Sequence, residues 1–177
     1  MRCVVVGTSG VGKSTFGRAL AQATNCRYVE LDELHWAENW AECPDADFVE
    51  AVRVAVGGDR WVVDGNYSVV RELIWSKATH VIWLNFSRNV VFSRVLWRTL
   101  KRAALGERLW HGNRESLSRA FFSKESILLW ALTTYKKNQD KYARLRAGGQ
   151  FAHLVWQEFT TPSQAAQFVE NRAKNDA

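Results

Sequence analysis

The apolar stretch Cys3 to Val6 runs directly into Gly7-Thr8-Ser9-Gly10-Val11-Gly12-Lys13-Ser14, and Phe16, Ala19, Leu20 and Ala23 then recur at helical spacing, with Asn25 as a stop signal. The middle run fits G-x-x-x-x-G-K-[ST]. A strand before it and a helix after it supply the context that gives this pattern meaning. In such a turn the glycines let successive backbone N–H groups point inward around phosphate oxygens, and the positive end of the following helix adds to the attraction. The chain is therefore expected to bind a nucleoside triphosphate through Gly7, Ser9, Gly10, Val11, Gly12, Lys13, Ser14 and Thr15. Lys13 would bridge the outer phosphates and Ser14 would offer its hydroxyl to Mg²⁺.

The rest of the chain alternates in the same manner. Strand patterns lie at Cys3 to Val6, Tyr28 to Leu31, Trp61 to Val63, His80 to Phe86 and Phe151 to Trp156, with helical patterns between them. This alternation predicts a parallel sheet covered by helices on both faces. Asp45 to Val56 reads as a helix with Phe48, Val49, Val52 and Val56 inward, ended by Gly57-Gly58. Tyr67 to Ser76 reads as a shorter one. Thr161-Pro162-Ser163-Gln164 combines an N-cap, a proline at the first helical position and a glutamine at N3, which predicts a terminal helix.

Length and composition bound the answer further. The 177 residues suit a single domain. The odd set Cys3, Cys26 and Cys43 has no C-x-x-C spacing, arguing against a disulfide framework or a Cys₄ zinc site. No apolar run reaches the roughly 18 residues of a membrane span, and the first strand begins almost at Met1, so a cytoplasmic protein without a membrane partner is expected. The net charge of +6 is uneven, with nine Lys or Arg between Ser87 and Lys124 against Glu107 and Glu115. This segment lies within 87–147, which is too long for an ordinary crossover and reads as a helical lid. Val91, Phe92, Val95, Leu96 and Leu100 form its first inward stripe, and Arg94, Arg98 and Arg102 line up on another face. A second helix, Ser123 to Arg146, packs Ile127, Leu128, Ala131 and Tyr135 inward.

In open α/β sheets ligands bind beyond the carboxyl ends of the strands, so acids there carry weight. Asp64 ends Trp61-Val62-Val63 and is placed to orient Mg²⁺. Asp32 follows Tyr28 to Leu31, where a carboxylate either accepts the proton of an acceptor hydroxyl or helps hold the metal. Either acid would also serve as a helix cap. Trp36, Trp40 and Tyr67 crowd the same region and suit the wall of an acceptor pocket, whereas Trp61, Trp83 and Trp156 fit the core. His35 has no partner at metal spacing and is read as structural.

Together GTSGVGKST, LDELHW, WVVDGNY and VIWLNFSRNVVFSRVLWR resemble a bacterial group of P-loop proteins related to adenylate kinases and labelled DNA topology modulation proteins or AAA-family ATPases. The resemblance covers about the first hundred residues and more loosely the rest. It implies a P-loop NTPase of three-layer α/β/α form, like the nucleoside-monophosphate kinases, with a five-stranded parallel sheet in the order 2-3-1-4-5. It also implies ATP and Mg²⁺ as ligands and an arginine-bearing lid, and it names no acceptor. The chain departs from adenylate kinases in lacking a Thr-Gly-Asp-x-Leu-Arg segment and a Gly-Arg-Arg lid start, which argues against AMP as acceptor. The Asn-Lys-x-Asp motif of guanine readers is absent too, which favours ATP.

These signals point to a kinase. Lys13, Asp32, Arg98 and Arg102 are its expected catalytic residues, Ser14 and Asp64 its metal residues, and Asp32, Trp36 and Tyr67 its acceptor contacts. The contrasting expectation is an ATP-dependent regulatory protein that meets DNA or RNA through the basic segment. It is disfavoured by the lack of a recognisable nucleic-acid module.

Overall fold

The computed structural model describes residues 1–105 and 127–175. Five parallel strands form one sheet: β1 Arg2–Gly7, β2 Arg27–Glu30, β3 Trp61–Asp64, β4 His80–Leu84 and β5 Val155–Phe159. Their spatial order is β2-β3-β1-β4-β5. The helices are α1 Lys13–Ala23, α2 Leu31–His35, α3 Asp45–Ala55, α4 Ser68–Trp75, α5 Arg88–Leu105, α6 Ile127–Ala147 and α7 Pro162–Asn175. No helix among the described residues is long and apolar enough to cross a membrane.

β1 is apolar because both of its faces are covered. Side chains alternate across a strand, so Val4 and Val6 pack with α3, α4 and α6, while Cys3 and Val5 pack with α1, α5 and α7. Each fully buried valine contributes roughly 1.5–3 kcal/mol. Trp61 and Trp83 are core residues as expected, and Trp156 is partly buried against Trp75, with ring centroids 5.6 Å apart. Burial pushes the Cys3 thiol up to about 12, so this cysteine is an inert core group.

The capping signals read from the sequence are realised at the terminal helix. The Gln164 side-chain oxygen accepts from the Thr161 backbone N–H at 3.3 Å, and the Gln164 N–H reaches the Thr161 hydroxyl at 3.4 Å. The fifth strand differs from expectation. Phe151 to Leu154 form turns, closed by the Leu154 N–H on the Phe151 carbonyl at 3.0 Å, and Phe151 buries its ring against Trp75 without joining the sheet. Pairing begins at Val155, opposite His80. The second strand likewise stops at Glu30, since Leu31 already opens α2, and β4 stops at Leu84, short of Phe86.

Within the expected lid, 87–147, α5 and α6 pack against each other, and residues 106–126 between them lie outside the described part. Val91 and Val95 are buried as expected, whereas Phe92 is 38% exposed, because the inward face of α5 is narrower than its apolar content. The side chains of Leu100, Ile127, Leu128 and Ala131 lie outside the described residues.

Candidate active site

β1 enters the loop at Gly7, and Gly12 caps α1 in the left-handed region at φ 102°. The loop is clamped from α5. A Cβ on Gly10, whose φ is 76°, would stand 2.0 Å from Val95 Cγ2, and one on Gly12 would stand 2.8 Å from Arg94 Nη1. Only glycine tolerates both this backbone and this approach. Arg94 donates to the Val11 carbonyl at 2.5 Å and lies over the Phe86 ring at 5.1 Å. Burial draws its guanidinium below the ordinary arginine range. Lys13 Nζ donates to the Thr8 carbonyl at 3.3 Å. On the opposite side Asn138 of α6 donates to the Thr8 hydroxyl at 3.2 Å. Ser9 and Ser14 are half-buried, Val11 is fully buried, and Thr15 is exposed on the first turn of α1.

Asp64 ends β3 beside this loop and is only 4% exposed. Its Oδ2 accepts from the Tyr28 hydroxyl at 3.2 Å, and its Oδ1 is buried with no protein partner. Burial raises the Asp64 carboxyl above the usual carboxylate range. Lys13 and Ser14 pull it back, and Glu30 and Asp32 push it further up. All four groups thus act on one carboxylate. Glu30 stands opposite Asp64 in the parallel register and is held by Arg18 at 2.6 Å. The sequence reading passed over Glu30 because Leu31 looked like strand; a strand ending at residue 30 would have exposed it as a second acid at a strand tip.

Asp32 lies in the first turn of α2, and its Oδ1 accepts from the Tyr67 hydroxyl at 2.6 Å. Tyr67 belongs to the loop that follows Asp64, so this bond ties the acid after β2 to the segment after β3. Burial, then Asp32, raises the Tyr67 phenol above its ordinary range, which keeps it a donor. Around the pair, His35 packs on Trp36, Phe48 and Tyr67, and Trp36 meets Trp40 edge to face at 5.8 Å. The expected acceptor residues Asp32, Trp36 and Tyr67 are therefore brought together, and His35 serves as packing. Arg98 is half-buried on α5, one turn beyond Arg94. The side chain of Arg102 lies outside the described residues.

The residues fit both implied ligands. The clamped glycine turn at the N-terminus of α1 suits a polyphosphate. The orphaned buried Oδ1 of Asp64 beside Ser14 suits a hard cation. Among the described residues there is no cluster of three or more His, Cys, Asp or Glu able to cage a metal. Mg²⁺ needs none, because it keeps its waters and phosphate ligands and takes one or two protein oxygens.

This sheet order, with a glycine-rich phosphate loop joining β1 to α1, defines a P-loop kinase-like protein of the nucleoside-monophosphate-kinase fold. The shikimate kinase family profile matches residues 9–53, a stretch running from the phosphate loop through Asp32 and the aromatic residues behind it. No curated protein matches the chain. Among solved structures, a gluconokinase from Sinorhizobium meliloti 1021 aligns at 22% identity over 98% of this chain and 93% of its own, with a TM-score of 0.52. A shikimate kinase from Bacteroides thetaiotaomicron aligns at 14% identity over 99% and 97%, with a TM-score of 0.48. The gluconokinase likeness extends over nearly the whole of both chains and fixes the fold.

Proposed function

We propose that this chain is a Mg-ATP-dependent kinase that phosphorylates a hydroxyl group of a small molecule. The observation that carries the reading is the fixed Asp32. Its Oδ1 is held by Tyr67, its Oδ2 has no hydrogen bond among the described residues, and its charge acts on the same Asp64 that feels Lys13. A carboxylate fixed in this way beside an aromatic group is placed to accept the proton of a bound hydroxyl. The shikimate kinase family match over residues 9–53 and the likeness to a gluconokinase support the same reading.

In this reading the glycine turn and Lys13 bind and orient the polyphosphate, and Ser14 and Asp64 hold the cation. Mg-ATP, when bound, supplies the transferable phosphoryl group and the neutralisation of its charge. Asp32 accepts the proton of the acceptor hydroxyl through the oxygen that Tyr67 leaves unused. Trp36 and Tyr67 orient the acceptor and exclude water. Arg94 already sits on the phosphate loop, and with Arg98 and Arg102 it balances charge as the phosphoryl group moves. The narrower bacterial group that the motifs resemble is compatible with this role. A cytoplasmic location and a single domain, with 87–147 as its lid, belong to the same proposal.

The test is ADP release from Mg-ATP against pooled nucleosides, nucleotides, sugars and hydroxy acids, with Lys13→Ala as background. A pool that stimulates release above background identifies the acceptor class. Binding of ATP with every pool at background would overturn the kinase reading and make salt-dependent nucleic-acid binding the next measurement.

A further inference from the structure

Two adjacent residues of α1 rest on the tip of β2. A Cβ on Gly17 would stand 2.9 Å from Tyr28 Cε2, so a bare backbone lets the helix come this close to the ring. The next residue, Arg18, holds its guanidinium 5.3 Å from the centroid of the same ring, and its Nη2 lies 2.6 Å from Glu30 Oε2. The Tyr28 hydroxyl in turn donates to Asp64 Oδ2 at 3.2 Å. One arginine therefore touches both the phenol that orients Asp64 and the acid on the strand beside it.

Glu30 and Asp64 stand opposite each other on parallel strands, which run about 4.8 Å apart and turn paired side chains to the same face. Both residues are nearly closed to water, at 5% and 4% exposure. Two acids so placed repel each other when ionised, and together they suit a divalent cation that takes several carboxylates. Arg18, whose side chain is 63% exposed, reaches in from the surface and occupies Glu30. Asp64 keeps one buried oxygen with no protein partner. Divalent cations differ in what they take from such a pair. Mg²⁺ keeps several waters and accepts one or two carboxylates, whereas Ca²⁺ takes roughly six to eight oxygens and binds more tightly as carboxylates are added.

We propose that Arg18 is a cation-selectivity residue: by holding Glu30 it leaves the site at Asp64 with a single available carboxylate, enough for Mg²⁺ and too few for Ca²⁺. Arg18 is a positioning residue, acting through Glu30 and Tyr28 on a site it does not itself touch. The inference rests on the reading that Asp64 and Ser14 hold the cation, and it adds which cation they prefer and what enforces the preference.

The test compares the parent chain with Arg18→Met, Arg18→Lys and the double variant Arg18→Met/Glu30→Gln. Each is loaded with a non-hydrolysable ATP analogue and titrated with Mg²⁺ or Ca²⁺, followed by calorimetry and by the unfolding midpoint, with the analogue alone as blank. The parent is expected to prefer Mg²⁺. In Arg18→Met the affinity for Ca²⁺ relative to Mg²⁺ should rise about tenfold. Arg18→Lys, which keeps a positive charge beside Glu30, should retain the parent preference, and adding Glu30→Gln to Arg18→Met should cancel the gain. Arg18→Gln should shift in the same direction as Arg18→Met and replaces it if that variant does not fold. An unchanged preference, with the midpoint lowered equally in Mg²⁺, Ca²⁺ and EDTA, would make the ion pair purely structural and overturn the proposal. A Ca²⁺ gain that persists after Glu30→Gln would overturn it too, since the released acid would not be its source. If the analogue binds but neither cation raises the parent midpoint, the cation reading of Asp64 falls and the proposal with it. A failure confined to the Arg18 variants leaves that reading standing.

Discussion

The Tyr28 hydroxyl donates to one oxygen of Asp64, and the other oxygen of the same carboxylate has no protein partner. The bond fixes which oxygen would be left for the proposed cation. Tyr28→Phe removes the donor and keeps the ring that packs on Gly17 and under Arg18. The expected result is a Mg²⁺ requirement raised about three- to tenfold and a stability loss of about 1 kcal/mol. Nucleotide affinity measured without metal should not change. A Mg²⁺ titration of ADP release checks it, and an unchanged midpoint would show that Asp64 needs no positioning.

Asp64 also sets a pH dependence. Its folded-state carboxyl titrates above the ordinary value because it is buried. Between the unfolded and the folded pKa the native chain binds more protons than the unfolded one, so metal-free stability falls as pH rises through that window. Asp64→Asn should flatten this part of the stability profile in EDTA and abolish Mg²⁺ dependence. Urea midpoints across the acidic range decide the matter. A parent profile that rises with pH over this window would contradict the burial argument.

Asp32 and Tyr67 make a separable pair. Asp32→Asn is expected to lower kcat by about 10²- to 10⁴-fold with ATP affinity retained, as loss of a general base does. Tyr67→Phe leaves the carboxylate but frees its orientation, and about a tenfold loss in kcat is expected. A change confined to the acceptor KM in both variants would make the pair a binding contact only.

The loop clamp gives a steric prediction. Gly10→Ala places a methyl group on Val95 and forces alanine into the left-handed region, costing about 1–3 kcal/mol. Adding Val95→Ala should recover the steric share and leave the backbone share. Denaturation of the two variants measures this, and full recovery would mean that φ at position 10 is unstrained for alanine.

Much of this site was legible in the sequence because its chemistry is local. The phosphate loop, Ser14 and the acid after Trp61-Val62-Val63 each announce themselves within eight residues. The aromatic residues near Asp32 were legible as a group, since Trp36 and Trp40 follow closely on it in the chain. What could not be read was long-range pairing. Nothing in the sequence near Tyr28 or Arg18 says that they brace Asp64 and Glu30, and nothing near Arg94 says that it, ahead of Arg98, rests on Val11. The fifth strand was misplaced by four residues at its start because Phe151 satisfies the apolar pattern of a strand while filling a turn against Trp75. Burial explains both roles, and only pairing with His80 to Leu84 separates them.

Thr8 and Asn138 are 130 positions apart, yet one hydrogen bond joins them. On the ribosome, the first hundred residues can emerge with the glycine turn, Lys13 and Asp64 all present while the helix that backs the turn is still inside the exit tunnel. The loop closure that joins them comes late, and its entropy must be met before the turn acquires its final stiffness. The stiffness of the turn therefore depends on a helix made long after it, and a fragment released before α6 would hold the motif without the contact that backs it.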